Sequence, residues 1–249
     1  MSKQADSRKV ALVTGGGTGI GRAVSLALAA RSIDVAVNYS RSEKEASATV
    51  SDIEAYDVKG LAVRANVAND DEVRAMLQEV ISRFGRLDYL VNCAGKTVYV
   101  DMADLEGMKP EYWDQIMDVN VKGLFSVCRA AAPHLKTTRG SIVNITSVSG
   151  NTGMGSSIAY AASKAAAICV TKSLARVLAP DVRVNSVAPG IVLTRWVDGR
   201  EEHVKKLGEH TPLGRCCNAE DVADVVIPLL ISSSMMTGQT IVVDGGAFM

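Results

Sequence analysis

The chain has 249 residues, carries 27 basic against 27 acidic side chains for a formal net charge of zero, and is 47% hydrophobic and 22% charged. That composition belongs to a globular protein able to bury a sizeable core. It excludes a disordered chain and gives no basic footprint for nucleic acid or an anionic membrane surface. A neutral chain also opposes self-association only weakly.

Taken in order, the N-terminal MSKQADSRKV is polar and lacks the apolar stretch of a signal peptide. Val10-Ala-Leu-Val-Thr14 is an apolar run suited to a buried parallel strand. It feeds Gly15-Gly-Gly-Thr-Gly19-Ile-Gly21, after which Ala23 to Ala30 reads as a helix. Strand, glycine-rich turn and helix make a phosphate cradle: glycines let the backbone approach an anion, and the helix start offers free N–H groups. The spacing is G-x-x-x-G-x-G rather than the commoner G-x-G-x-x-G. Val35 to Tyr39 is a second strand. In a fold of this kind its carboxyl end reads the adenosine ribose, a carboxylate taking a 2′-hydroxyl and an arginine a 2′-phosphate. Here the end reads Tyr39-Ser40-Arg41-Ser42, with no carboxylate before Glu43, which favours NADP(H) over NAD(H).

A helical stretch over 43–56 precedes a third strand, Leu61 to Ala65. Asp70-Asp-Glu72 then opens a helix through Phe84, with acidic residues in its first turn as the helix dipole prefers. A fourth strand over Leu87 to Val91 leads to Asn92-Cys-Ala-Gly95, and a long helix is predicted from Glu111 to Leu135. Ile142 to Ile145 is the fifth strand and Arg183 to Val187 the sixth. The charged, irregular stretch 191–215, with Trp196, reads as a lid carrying one or two short helices. Asp221 to Ile231 predicts a helix broken by Pro228, and Gln239 to Val243 a last strand. Alternating strands and helices predict one α/β domain over 1–249, a doubly wound, mainly parallel seven-stranded sheet with helices on both faces.

Chemistry concentrates in Ser141 to Lys164. Tyr160 and Lys164 stand four residues apart at the start of an alanine-rich helical pattern and so share one helix face. An ammonium near a phenol favours the phenolate and lowers a pKa otherwise near 10. Ser147 ends the preceding strand and offers a hydroxyl to the same space. Polariser, proton donor and tuning cation suit carbonyl reduction, while Met154 and Trp196 are candidates for the substrate wall. His134, His203 and His210 lack metal-ligand spacing, so no metal is expected. The five cysteines are scattered and without C-x-x-C, which points to reduced thiols. No apolar run is long enough to span a bilayer. A cytoplasmic protein with no membrane or nucleic-acid partner is expected.

Together these residues resemble the short-chain dehydrogenase/reductase family in its compact form, from Val10 to the C terminus. The resemblance rests on Thr14-Gly15-x-x-x-Gly19-x-Gly21, and on Asn92-Cys93-Ala94-Gly95, with Cys93 where the family has a second asparagine. It rests also on Asn120, Ser147, Tyr160 and Lys164 at the positions of the family's catalytic tetrad, and on Pro189-Gly190, Val192 and Thr194 after the sixth strand. It implies Tyr160 as general acid or base, Lys164 as the cation that tunes it and holds the nicotinamide ribose, Ser147 as donor to the substrate oxygen, and Asn120 as the anchor of a proton relay. It places Gly17, Thr18, Ile20, Ser40 and Arg41 at the phosphates and adenosine end, Asn66-Val67 at the adenine, and Asn92, Ala94, Gly95, Pro189, Gly190, Val192 and Thr194 around the rest of the dinucleotide. The C-terminal segment from Met236 resembles that of 3-oxoacyl-acyl-carrier-protein reductases, which implies a ketone or carrier-bound acyl substrate. Lys136 and Arg139 are then candidates for docking an acidic carrier. Glucose- and steroid-type dehydrogenases of the family end similarly; a non-catalytic NADP-binding regulator is a further alternative, as is dehydration or epimerisation, whose enzymes share Tyr-x-x-x-Lys but usually carry a longer substrate domain. The family commonly forms homotetramers.

Overall fold

The computed structural model describes residues 8–199 and 201–248, leaving out the side chains of Glu201, His203 and Lys205. The expectations for the first seven residues and for the His203 side chain fall outside the described residues. Seven strands form one parallel sheet: β1 (Val10–Thr14), β2 (Asp34–Tyr39), β3 (Gly60–Arg64), β4 (Tyr89–Asn92), β5 (Ser141–Ile145), β6 (Arg183–Pro189) and β7 (Thr240–Val243), in the spatial order β3-β2-β1-β4-β5-β6-β7. All six pairings are parallel.

The helices are α1 (Gly19–Ala29), α2 (Glu43–Glu54), α3 (Asp70–Phe84), α4 (Pro110–Met117), α5 (Leu124–Thr138), α6 (Ser149–Thr152), α7 (Ile158–Leu178), α8 (Glu201–Glu209) and α9 (Ala219–Ile231). The two-residue period of β1 divides them between the faces. Ala11 and Val13 point into a core with Val24, Leu28 and Val226 of α1 and α9. Val10 and Leu12 point into the opposite core with Val73, Val127 and Leu174 of α3, α5 and α7. Each fully buried Val or Leu contributes about 1.5–3 kcal/mol, so both faces are closed by the same alternation.

Several boundaries shift by one to four residues from the sequence reading, and three departures have a clear physical cause. Helix α1 starts at Gly19, four residues before Ala23, because a positive φ of 51° at Gly19 lets the chain leave the glycine turn directly into the helix. The long helix from Pro110 contains a π-type stretch, Asp118–Gly123, between α4 and α5. Such widened turns redirect a side chain locally, and here Asn120 is turned inward to 2% exposure. Pro228 does not break α9, which continues to Ile231. The proline carbonyl still accepts from Ser232 and Ser233 N–H, each at 2.9 Å, and Leu229 and Leu230 remain buried, so core packing offsets the one backbone donor that proline lacks. Arg183 adds to this end, its guanidinium donating to the Leu229 and Leu230 carbonyls at 2.7 and 2.8 Å.

The strand order reverses between β1 and β4. That switch leaves a crevice at the carboxyl ends of the strands, where ligands bind in open α/β sheets.

Candidate active site

A cleft of about 1350 Å³ lies along those carboxyl ends. Its first wall is the turn from β1 into α1. Asn38 organises this turn, accepting from Gly15 N–H at 3.4 Å through its side chain and from Gly16 N–H at 3.1 Å through its carbonyl. Its amide also donates to the Ala65 carbonyl at 3.1 Å, so the turn and the end of β3 are tied together. A Cβ on Gly17 would stand 2.8 Å from Ala46 Cα, which only glycine avoids. Helix α1 has no side-chain cap and no acidic residue in its first turn, so its initial N–H groups and positive dipole end remain available to an anion. These observations fit a dinucleotide pyrophosphate.

Gly15, Gly17, Thr18, Gly19, Ile20, Ser40, Arg41, Asn66, Val67, Ala94, Gly95, Pro189, Gly190, Val192 and Thr194 all line the cleft together with Ser147, Tyr160 and Lys164. Three expected site residues stand behind the lining. Gly21 packs so closely that a Cβ would come within 2.2 Å of the Gly15 carbonyl oxygen. Asn92 is buried and its amide donates to Asn144 Oδ1 at 2.9 Å and to Cys128 Sγ at 3.1 Å. Asn120 donates to the Lys96 carbonyl and to Ser163 Oγ, both at 2.9 Å, and accepts from Lys96 N–H at 2.8 Å. Ser163 Oγ in turn donates to the Tyr160 carbonyl at 2.7 Å. Asn120 therefore fastens the loop after β4 to the helix that carries Tyr160. The Cys93 substitution leaves the neighbouring backbone held, since Thr14 Oγ1 accepts from both Cys93 and Ala94 N–H at 3.1 Å.

At the other end of the cleft, Ser157 caps α7 by accepting from Tyr160 N–H at 3.3 Å, which starts the helix so that Tyr160 and Lys164 face β5. Lys164 is 7% exposed, and its Nζ donates to the Ile145 carbonyl at 2.9 Å and lies 5.6 Å from the centre of the Tyr160 ring. Burial pushes Lys164 down to about 8. Burial also pushes Tyr160 up to about 12, while a hydrogen bond from Ser147 acts in the opposite direction. The expectation of a lowered Tyr160 pKa does not hold here: desolvation of the phenolate outweighs the favourable contacts. Tyr160 keeps its proton at neutral pH. Ser147 is oriented by Ser149, its hydroxyl donating to Ser149 Oγ and accepting from Ser149 N–H, each at 3.1 Å.

Several lining residues escaped the sequence reading. Tyr99, Ser149, Arg64 and Arg195 all face the cleft. Arg64 is paired in register with Tyr39, so the strand-end rule applied to β3 as well as β2 would have found it. Ser149 belongs to the short helix α6, which carries no periodic signal. A carrier-docking role for Lys136 and Arg139 would put them at the mouth of the cleft, and the structure does not. They sit at the end of α5, just before β5 begins, at the amino edge of the sheet and away from the cleft. Among the described residues, no group of three or more His, Cys, Asp or Glu is placed to hold a metal ion, and no helix is long and apolar enough to cross a membrane.

A family model described as enoyl-(acyl carrier protein) reductase matches residues 15–247. The chain is 42% identical to the 3-oxoacyl-(acyl-carrier-protein) reductase FabG of Staphylococcus aureus, over 97% of this chain and 98% of the relative. It is 41% identical to the 3-oxoacyl-(acyl-carrier-protein) reductase of Synechocystis, over 97% of both. Among solved structures, a short-chain type dehydrogenase/reductase from Mycobacterium ulcerans matches with a TM-score of 0.89 at 31% identity, covering 96% of this chain and 89% of the other. Levodione reductase matches with the same TM-score at 26% identity, over 96% of each chain.

Proposed function

The chain belongs to the short-chain dehydrogenase/reductase family of oxidoreductases, and from that premise we propose that it is an NADP(H)-dependent reductase converting a ketone, a 3-oxoacyl thioester or a similar carbonyl, to a secondary alcohol. The observation that carries the reading is the meeting of Ser147, Tyr160 and Lys164 in the same cleft as the glycine turn and Arg41. A nicotinamide dinucleotide bound there supplies the hydride.

The protein's part is positional and electrostatic. Ser147 Oγ, held by the Ser149 N–H that it accepts, turns its single hydroxyl proton from Ser149 Oγ to the carbonyl oxygen of the bound ketone, where negative charge grows during reduction and a donor contributes most. Tyr160, protonated at neutral pH, delivers its proton to the same oxygen. Lys164, near 8, is mainly an ammonium at pH 7 and favours the phenolate that proton transfer leaves. Asn120 keeps the helix backbone beside Tyr160 and Ser163 in place for re-protonation. The glycine turn and the start of α1 hold the pyrophosphate, Arg41 the 2′-phosphate, and Asn66 and Val67 the adenine. Met154, Leu207 and Phe248 give the mouth exposed apolar surface against which an acyl chain can lie. The names of the relatives point to carrier-bound acyl substrates, and we extend that class to this chain as a one-domain, cytoplasmic protein assembling as a homotetramer.

The test is NADPH oxidation by the purified protein with acetoacetyl thioesters, a sugar and a steroid ketone. Reduction of the thioester is expected, and Tyr160→Phe should lower turnover at least about 1000-fold while NADPH still binds. Turnover confined to the sugar or steroid would replace the thioester reading. Undiminished turnover in Tyr160→Phe would reject the mechanism.

A further inference from the structure

A short strap crosses the cleft and touches both of its ends. At its base, Leu193 N–H donates to the Cys217 carbonyl at 2.9 Å and Cys217 N–H to the Ile191 carbonyl at 3.1 Å. Thr194 then lies over the glycine turn, its Cγ2 only 3.2 Å from where a Cβ on Gly19 would stand. The chain makes one 3-10 turn over Arg195–Val197. Arg195 points to the adenosine end, its Nη1 donating to Ser42 Oγ at 3.1 Å. Trp196 points to the catalytic end: its ring centre is 6.2 Å from that of Tyr160, and its carbonyl accepts from the Tyr99 hydroxyl at 2.8 Å.

Arg195 makes an incomplete set of contacts. The Ser42 hydroxyl is a neutral partner that occupies one of five guanidinium donors. Among the described residues, no carboxylate lies within ion-pair distance of Arg195. Glu72, a carboxylate that lines the cleft, accepts from Asn66 N–H at 2.8 Å. Arg41 and Arg64 line the same end, with Glu72 as the carboxylate there, so Arg195 adds a further guanidinium to two already present. Arg195 on the Ser42 hydroxyl, with Arg41 and Arg64 lining the same cleft, suits a phosphate dianion, which takes bidentate, charge-assisted hydrogen bonds that a ribose hydroxyl does not.

We propose that Arg195 is a specificity-determining residue that reads the 2′-phosphate of NADP(H) from the strap, opposite Arg41, and that the same contact fixes Trp196 over Tyr160. The inference rests on the NADP(H) reading and extends it: choice of cofactor at one end of the cleft sets the roof over the reacting carbon at the other.

The chain has two tryptophans, so a Trp113→Phe background leaves Trp196 as the only indole. Its fluorescence is titrated with NADP⁺, NAD⁺ and 2′,5′-ADP, with calorimetry alongside to give dissociation constants free of the probe. Arg195→Ala should raise the constants for NADP⁺ and 2′,5′-ADP about tenfold, leave that for NAD⁺ within about twofold, and abolish the Trp196 response to 2′,5′-ADP. Arg195→Lys, which keeps the charge but not the fork, should fall between. Equal weakening of NADP⁺ and NAD⁺ would place Arg195 on the pyrophosphate and overturn the proposal. If Arg41→Ala removes the preference for NADP⁺ and Arg195→Ala does not, the inference fails alone. A parent protein that binds NAD⁺ as tightly as NADP⁺ refutes the NADP(H) reading and this inference with it.

Discussion

The catalytic floor of the cleft, at Ser147 and Lys164, is buried against the sheet, whereas the roof presents exposed side chains, Trp196 and Leu213, beside a buried anchor at Val204. On the floor, Ser147 and Lys164 are each 7% exposed and both are hydrogen-bonded within the protein. On the roof, Trp196 is 40% and Leu213 74% exposed. Preorganisation and desolvation belong to the floor, where proton transfer needs fixed donors. Adaptability belongs to the roof, which can shift to cover ligands of different shape. Substitutions on the floor should therefore act on turnover, and substitutions on the roof on binding.

The largest effect expected in this contrast, after loss of the Tyr160 hydroxyl, is that of Ser147→Ala. Removing one donor to a developing oxyanion lowers kcat by about 100- to 1000-fold. The Michaelis constants for ketone and NADPH should change little, because the bond strengthens only as charge develops. Steady-state kinetics over both substrates check this. A variant that loses affinity and keeps its turnover would assign Ser147 to ground-state binding and erase the distinction between floor and roof.

A second consequence concerns stability, and its sign follows from Lys164. The folded pKa near 8 lies below the ordinary 10.5, so between these values the unfolded chain binds the extra proton. Stability attributable to this group then rises as pH climbs from about 8 towards 10.5. Below pH 8 the buried ammonium is a constant burden, relieved in part by its bond to the Ile145 carbonyl. In urea denaturation, Lys164→Met should be favoured relative to the parent at pH 7. That relative advantage should shrink by on the order of 2 kcal/mol by pH 10. The comparison between the two proteins cancels the titration of groups that do not interact with Lys164, and keeping the upper limit at pH 10 stays below the raised values of Cys93 and Tyr160. Arg195→Met, on the exposed roof, should follow the parent at both pH values. Parallel stability curves for the Lys164 pair would show that the floor does not hold a destabilised cation.

How much of this could be read from the sequence divides along the same line. Tyr160 and Lys164 were legible because helical spacing alone puts them on one face, and the glycine turn because a strand, glycines and a helix in succession leave few conformations. The sheet was legible because apolar runs such as Val10–Thr14 and Ile142–Ile145 have no other way to be buried. The roof was not. Arg195 meets Ser42 across 153 positions, and no local pattern encodes a contact made by one long flexible side chain. The raised pKa of Tyr160 was equally hidden, since motif chemistry names the neighbours of a phenol but not how much water they exclude. Pro228 misled for a related reason: a local breaker was overruled by Leu229 and Leu230, which belong in the core.

The smallest effect, and the one that sharpens the contrast most, is that of Trp196→Ala. The indole faces Tyr160 from above, at 6.2 Å between ring centres, yet it is the Trp196 carbonyl, not its ring, that takes the Tyr99 hydrogen bond. Truncating the side chain therefore leaves the strap anchored and removes only apolar cover from the substrate side. Loss of that cover should raise the Michaelis constant for the ketone by about 3- to 10-fold. Turnover at saturation should stay within about threefold, because Ser147 and Tyr160 keep their own supports. Trp196→Phe, which restores an aromatic surface of smaller area, should recover most of the affinity. Thermal unfolding should be unchanged within about 2 °C, since the residue is largely outside both cores. A fall of 100-fold in turnover with an unaltered Michaelis constant would mean that the indole orients the Tyr160 hydroxyl itself, and the roof would then share in the proton transfer assigned here to the floor.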